Sequence, residues 1–429
     1  MKQKVHYVNI FIFILFIFTL PYSYKSTPNT YLPNAFESIH AQADNSYASD
    51  YGYQHLNANE KRVYRCFMKT LNKFDHSSTN LKYYDKPANE YLLKTFHIKK
   101  YNLSTQSVQK VYSTIRMDNP QFFWIGFTFR YTLFRNKVRT FTINVPTDYA
   151  KASKRKASWK KIKKGITECL AKSKQYTTIF DKEKYFHDEI IRRINYTEKN
   201  KDIYKVWTHN IDGVFTKKSS VCEGYAKAFQ LLLNASGIEN IYVTGTSLGQ
   251  PHAWNMVNLG SKKKKKWYQV DLTWDDLGGT DMTTDYNYSN YITYEYFNCT
   301  KGQFLDHKAS TPKSKDYLYP LPNCTKDKTY NFYHYMNSFA TDKDTANLSS
   351  TFAFFTKAIE TAINRNSSYV YLAAKNEDAM NYIYDFYQAN AKQFITFIPD
   401  TYPHKNRIKK IPFCAQPYNI VFCIPLDLK

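Results

Sequence analysis

The sequence predicts an α+β fold in which one helix packs on an antiparallel sheet, with mixed helix-and-strand regions on both sides. Three observations predict it. After Cys222, the residues Tyr225, Ala226, Phe229, Leu232 and Leu233 recur at helical spacing. Residues 252–259 and 267–274 read as two strands, joined by a turn that begins at Gly260 and Ser261 and continues through five lysines, 262–266. Outside this centre, helical runs alternate with aromatic strands.

The helix comes first in the argument. Ser219 or Ser220 is expected to cap it, and Gly237 to end it in a left-handed turn. Glu223, Lys227, Gln230 and Asn234 fall opposite the apolar stripe and read as its polar face. Cys222 lies in the first turn. Free backbone amides and the positive end of the helix dipole favour a thiolate there, and the same amides would hold an oxyanion. Antiparallel pairing of the two strands would set His252 beside Asp271. A thiol, an imidazole and an orienting carboxylate are the parts of covalent acyl transfer. Alone, each of these residues is usually structural; their order and spacing carry the argument.

The surrounding words are specific. VCEGYAKAF, then GI and YVTG, then HAWNMV, then WYQVDLTWDD resemble the transglutaminase-like superfamily, most of all its cytokinesis-type and bacterial extracellular branch. The likeness spans residues 185–307. YEYFN at 294–298 and His307 look like the tail of that branch, and residues 117–125 resemble the segment that often precedes its core. The resemblance implies a papain-like core with a Cys222–His252–Asp271 triad. It also implies that Trp254, Asn255 and Trp274 line or brace the cleft; for Trp254 and Trp274, core packing against the sheet is an equal reading, and Trp207, upstream of the cysteine, is a candidate to lie over the site. It leaves cross-linking, peptide hydrolysis and deamidation open. It requires no cofactor. The nearest match to the calcium loops of animal transglutaminases is Asp275, Asp276, Asp281 and Asp285, which reads as a solvated loop.

Other chemistries find no support. Residues 245–249 spell G-x-S-x-G, but Gln250 and Pro251 follow where a helix would be needed, so this reads as a loop. No phosphate-binding loop, dinucleotide fingerprint, H-E-x-x-H or C-x-x-C occurs, so no metal site is expected.

Lys2 and Lys4 followed by the apolar run 10–20 read as a signal peptide over 1–23, with a retained membrane anchor as the alternative. The protein is therefore expected to be secreted. With Cys222 set aside, Cys66, Cys169, Cys299, Cys324, Cys414 and Cys423 could form three disulfides; Cys414–Cys423 and Cys299–Cys324 are attractive on spacing. Asn102, Asn195, Asn234, Asn287, Asn298, Asn323, Asn347 and Asn366 begin glycosylation triplets. The net charge of +24 fits protein or peptide substrates and anionic cell-surface, wall or glycan partners; no nucleic-acid module is present. Biased coding toward Lys, Tyr, Asn and Phe explains part of that charge.

The expected organisation is a leader over 24–58, an N-terminal accessory region over 59–180 and a catalytic core over 181–308. A connector over 309–329 and a C-terminal accessory region over 330–429 follow. Within these, residues 122–134 and 138–146 are expected to form a hairpin, residues from 151 a long basic helix, and residues 182–193 the helix leading to the cysteine. Toward the end, helices are expected at 351–363 and 376–393, and strands at 369–373 and 393–397. The oligomeric state is not legible. The competing reading is a binding or adhesion protein that uses this fold as a scaffold, with its basic surface as the contact.

Overall fold

The computed structural model describes residues 47–197, 202–276, 292–304, 306–314, 317–367, 369–390, 392–393 and 396, together with two short strands at 414–415 and 421–425. The expected signal segment 1–23, Asp281, Asp285 and Asn287 lie outside the described residues. So does the leader up to residue 46.

The N-terminal region holds α1 (Tyr51–Gln54), α2 (Ala58–Asp75), β1 (Tyr84–Asp85), β2 (Glu90–His97), α3 (Thr105–Asp118), β3 (Phe129–Phe134) and β4 (Lys137–Pro146). The last part of the leader is therefore folded: the amides of Gly52 and Tyr53 donate to the Asp118 carboxylate. Asn57 and Glu60 form a capping box at the start of α2, and Val63, Phe67, Leu71 and Phe74 bury one face of it. The strands order as β1-β2-β4-β3. The expected strand 122–134 forms only from Phe129. Residues 120–124 are turns, and their side chains are buried without alternation. Arg135 and Asn136 both take positive φ, the geometry of a two-residue hairpin.

The basic helix is α4 (Ala152–Ser173), followed by α5 (Ile179–Arg193), capped by Thr178. Short strands β5 (Asn195–Tyr196) and β6 (Ser219–Ser220) lead to α6 (Cys222–Ala235). Then come β7 (Asn240–Ser247), β8 (Gln250–Asn258), β9 (Trp267–Val270), the single turn α7 (Leu272–Asp275) and β10 (His307–Ala309). The central sheet orders as β10-β7-β8-β9, antiparallel throughout.

Three expectations for α6 change. Val221 is the N-cap residue and offers no side-chain bond; Ser220 Oγ instead donates to the Thr208 carbonyl. Gly237 does take φ +71°. The expected polar face is buried, because Glu223, Lys227 and Gln230 pack inside the protein. Asn234 Nδ2 donates to the Tyr47 carbonyl and Asn298 is fully buried, so neither is open for a glycan. The G-x-S-x-G string is not a loop. Gly245 to Ser247 belong to β7, and Leu248 and Gly249, both at positive φ, turn it tightly into β8.

The C-terminal region contains α8 (Phe332–Tyr335), β11 (Phe339–Ala340), α9 (Leu348–Asn364), β12 (Tyr369–Ala374), α10 (Glu377–Asn390), β13 (Cys414–Ala415) and β14 (Val421–Pro425). Its sheet orders as β11-β12-β14-β13. The expected strand 393–397 is absent at its described positions, Gln393 and Thr396, which are in tight helical turns. One continuous apolar core runs from Tyr47 to Tyr387, so both accessory regions are packed onto the centre. No described helix is long and apolar enough to cross a membrane.

Cys66, Cys169, Cys222, Cys299 and Cys324 are free thiols. The expected Cys299–Cys324 bridge is not formed. Each of the two residues bridges to a different residue of β9, and their thiols donate to the carbonyls of Glu295 and Cys299 respectively. Cys414 and Cys423 are register partners on β13 and β14; their side chains lie outside the described residues.

Candidate active site

Cys222 opens α6, where the first backbone amides have no intrahelical carbonyl to bond. The side chain is fully buried. It shares a cluster with Met117, Ala226, Tyr242, Ala253 and Trp254.

His252 lies near the start of β8 and Asp271 just beyond the end of β9. The β8–β9 ladder closes at Asn255↔Val270, so His252 and Asp271 are diagonal neighbours rather than directly opposite. The chain leaves the ladder at Asp271 because this residue caps α7. Its Oδ1 accepts the amides of Thr273 and Trp274 at 2.8 and 3.3 Å. The expected strand 267–274 therefore stops at Val270. The break leaves Oδ2 free to meet His252 Nε2 at 2.5 Å.

His252 Nδ1, the other ring nitrogen, is buried without a hydrogen-bond partner, and Cys222 is the ring's electrostatic neighbour besides Asp271. Burial disfavours a charged ring. The negative charge of Asp271, the charge of Cys222 and the hydrogen bond to Asp271 outweigh it and hold the His252 pKa up, at about 10. Asp271 is also buried, yet the two histidines on it hold it well below the usual carboxylate range. The arrangement is an imidazole poised between a thiol and a carboxylate, which suits proton transfer from and to sulfur.

The second histidine is His307, whose Nε2 reaches the same Asp271 Oδ2 at 2.8 Å. Sequence reasoning found it only as part of a family tail, with no role attached. The polar atoms of His252, Asp271 and His307 lie within 4.8 Å of one another, as a metal triad would. Their contacts of 2.5 and 2.8 Å are charge-assisted hydrogen bonds, and no ion fits between them at these distances.

The other expected cleft residues divide. Trp254 stacks beside His252, with ring centroids 6.0 Å apart, and its Nε1 donates to Gln269. Trp274 packs on Tyr296 and His307. Asn255 points the other way and ties the sheet to α6 by donating to the Ala226 carbonyl. Trp207 is half-buried against the main core, apart from the cluster that holds Cys222.

Asp275 and Asp276 are not a solvated loop. Asp275 is fully buried and takes His187 Nε2 at 3.1 Å, Thr293 Oγ1 and the Tyr296 amide. Asp276 accepts the Tyr225 hydroxyl. Both tie the turn after Asp271 to neighbouring elements.

A third group was missed. Glu223, next to the cysteine, accepts from Lys227 at 2.7 Å and His209 at 3.1 Å, with Arg116 at 3.4 Å. Burial would raise its pKa; Lys227, His209 and Arg116 pull it well below the usual range. The signal was a Glu–Lys pair spaced i, i+4 on the cysteine helix. A small recess, with room for about one water, opens beside Arg116, His209 and Lys227; its lining includes none of Cys222, His252 and Asp271.

A cysteine at a helix start, joined across an antiparallel sheet to a His–Asp pair, defines the core type shared by papain-like thiol proteins. Residues 165–272, the centre of this chain, match the family model of the transglutaminase-like superfamily. One similar solved structure is described as a TGase: 17% identity, TM-score 0.25, covering 38% of this chain and 49% of that one. The chain thus spans about half of that protein's length. Another is a candidate cysteine protease from Cytophaga hutchinsonii: 14% identity, TM-score 0.22, covering 45% of this chain and 69% of that one. No curated protein matches the chain.

Proposed function

We propose that this protein is an exported thiol enzyme that acts on protein amide bonds through Cys222, His252 and Asp271. The observation that carries the reading is the 2.5 Å contact of His252 with Asp271, with Cys222 as the ring's other electrostatic neighbour. Export rests on the sequence alone, through the apolar run 10–20.

In the proposed reaction His252 takes the proton of Cys222. The thiolate attacks the carbonyl carbon of an amide, and the amides at the start of α6 bond the resulting oxyanion. His252 returns its proton to the departing amine, the C–N bond breaks, and a thioester remains. Water or a primary amine then attacks the thioester, giving hydrolysis or acyl transfer, and the thiol is reformed. Asp271 stays ionised and orients the ring throughout.

A second reading is favoured by one observation: Cys222 is fully buried, so turnover requires it to be uncovered. In that reading the fold is a binding scaffold, and its contact is the lysine-rich surface of α4, which is lined by Lys154, Lys156, Lys160, Lys161, Lys163 and Lys164.

The test incubates the protein and its Cys222→Ala variant with mixed proteins and a tagged primary amine, followed by mass spectrometry. Tag on glutamine that depends on Cys222 supports acyl transfer. New termini that depend on Cys222 support hydrolysis. If neither appears, and salt-sensitive binding to anionic surfaces survives Cys222→Ala, the scaffold reading takes its place.

A further inference from the structure

We propose that His307 is a positioning residue for this site: its Nε2–H fixes the Asp271 carboxylate, and so sets the pH range over which the Cys222–His252 pair stays charged. The inference rests on the triad reading above.

The geometry is built around one oxygen. Asp271 Oδ2 receives Nε2 of His252 at 2.5 Å and Nε2 of His307 at 2.8 Å, while Oδ1 receives two backbone amides. A buried carboxylate left with part of its accepting capacity unmet is costly, and it protonates more readily. The second imidazole fills that capacity on the atom that orients the first. An ionised carboxylate only accepts, so His307 must carry a proton on Nε2.

The His307 ring cannot turn away without repacking its surroundings. Phe304 lies 3.9 Å from it centroid to centroid, Trp254 5.1 Å, His252 5.2 Å, Tyr296 5.5 Å and Trp274 5.9 Å. The backbone is fixed as well, because β10 pairs with β7 through His307↔Ser247. The other ring nitrogen, Nδ1, is buried with no partner. A purely architectural histidine would be expected to use both nitrogens; this one spends its single polar contact on Asp271. The titratable groups facing it are Asp271, His252 and Tyr296. Its sequence neighbour Asp306 accepts from the Tyr296 hydroxyl at 3.1 Å.

The test compares His307→Phe, which keeps an aromatic ring and loses the donor, with His307→Gln, which keeps an N–H donor. The readout is thiolate ultraviolet absorbance, taken as the difference from the same protein carrying Cys222→Ala, from about pH 4 to about pH 9. This reads the buried pair directly and needs neither substrate nor access. In His307→Phe the thiolate signal should vanish about one pH unit earlier as the pH falls, because Asp271 protonates sooner. His307→Gln should restore most of the wild-type profile. Profiles of wild type and folded His307→Phe that superimpose overturn the proposal and leave the triad standing. A wild type with no Cys222 thiolate at any pH overturns both. If His307→Phe does not fold, His307→Met, which has no donor, is compared with His307→Gln by the same criterion.

Discussion

Glu223 Oε1 lies 2.7 Å from Lys227 Nζ, one helical turn along α6, with both side chains sealed from solvent. Arg116 and His209 complete the group, so a single carboxylate balances the cations Lys227 and Arg116 and accepts from His209 beside the nucleophile. Taking these charges out of water is expensive, and only their mutual contacts offset it. Glu223→Gln keeps the shape and removes the charge. It should lower unfolding free energy by about 3–5 kcal/mol, since Lys227 and Arg116 are left buried and uncompensated. Urea unfolding measures this, and a loss below about 1 kcal/mol would show that the cluster relaxes into water. The double variant Glu223→Gln with Lys227→Met should recover part of the loss.

Asp271 does two jobs with its two oxygens: Oδ1 caps α7 and Oδ2 orients His252. Asp271→Asn keeps an oxygen for the cap but cannot accept both imidazoles in the same way. Cys222-dependent turnover should fall by about 10³–10⁴-fold, as expected when an imidazole loses its orienting carboxylate. Stability should fall as well, because the buried charge that His252 and His307 share is lost even though the cap survives, so turnover is compared per folded molecule. A variant with nearly full activity and an unchanged pH profile would remove Asp271 from the reaction.

Much of the site was legible because its parts are local. Cys222 precedes an apolar stripe of helical period, and His252 and Asp271 sit at the margins of strand-like runs. What escaped was tertiary. Periodicity distinguishes one face of α6 from the other, but it does not reveal that the 206–210 segment and Arg116 pack over the polar face and bury it. Residues 122–134 have strand composition throughout, yet the first part is occupied with turns next to Pro120 and Gly126, so only the second part forms a ladder. His307 lies 36 positions after the residue it serves, and no sequence spacing links the two. An aspartate at a strand end is usually a turn or cap residue, and a cap ends the strand before it, so the expected strand 267–274 stops at Val270.

Several buried carboxyls make stability depend on pH in one direction. Burial pushes Glu90 up to about 7, and Asp118, Glu183 and Glu295 up to about 8. Each folded-state pKa lies above its unfolded value, so the folded chain holds more protons. The stabilisation is full at pH values below the unfolded pKa, near 4.5 for glutamate, and is lost as the pH rises toward 8. His187, buried between Asp188 and Asp275, adds to this. Burial disfavours its charge, but both carboxylates raise its pKa overall, so its contribution also fades with rising pH. Asp188, Glu223 and Asp271 act oppositely. Their pKa values are depressed, so their stabilisation is lost at strongly acidic pH. Stability should therefore peak in mildly acidic solution. Glu183 accepts from Asn298 on one oxygen and has no partner on the other. Glu183→Gln should flatten the decline between about pH 5 and pH 8 by up to about 1.4 kcal/mol per pH unit. Urea unfolding across that range decides it; equal slopes in both proteins would mean Glu183 ionises normally.

Gly245 sits opposite His252 in the β7–β8 ladder and beside β10 on its other edge. A Cβ there would lie 2.2 Å from the Lys308 carbonyl oxygen, 2.7 Å from the Trp254 ring and 2.9 Å from the Ala309 Cα. Two of these neighbours are backbone and cannot swing aside, so the strand carrying His307 must move. Trp254 must move too, and it packs on both His252 and His307. Gly245→Ala should therefore cost about 1–3 kcal/mol of stability through overpacking. It should also loosen His307 from Asp271, moving the acid limb of the thiolate profile in the same direction as His307→Phe. Gly237→Ala is the control: its Cβ meets nothing within 4 Å, though the φ of +71° strains it, so it should lower stability without moving that limb. If Gly245→Ala and Gly237→Ala give the same thiolate profile, the site does not depend on the close fit of β10 against β7.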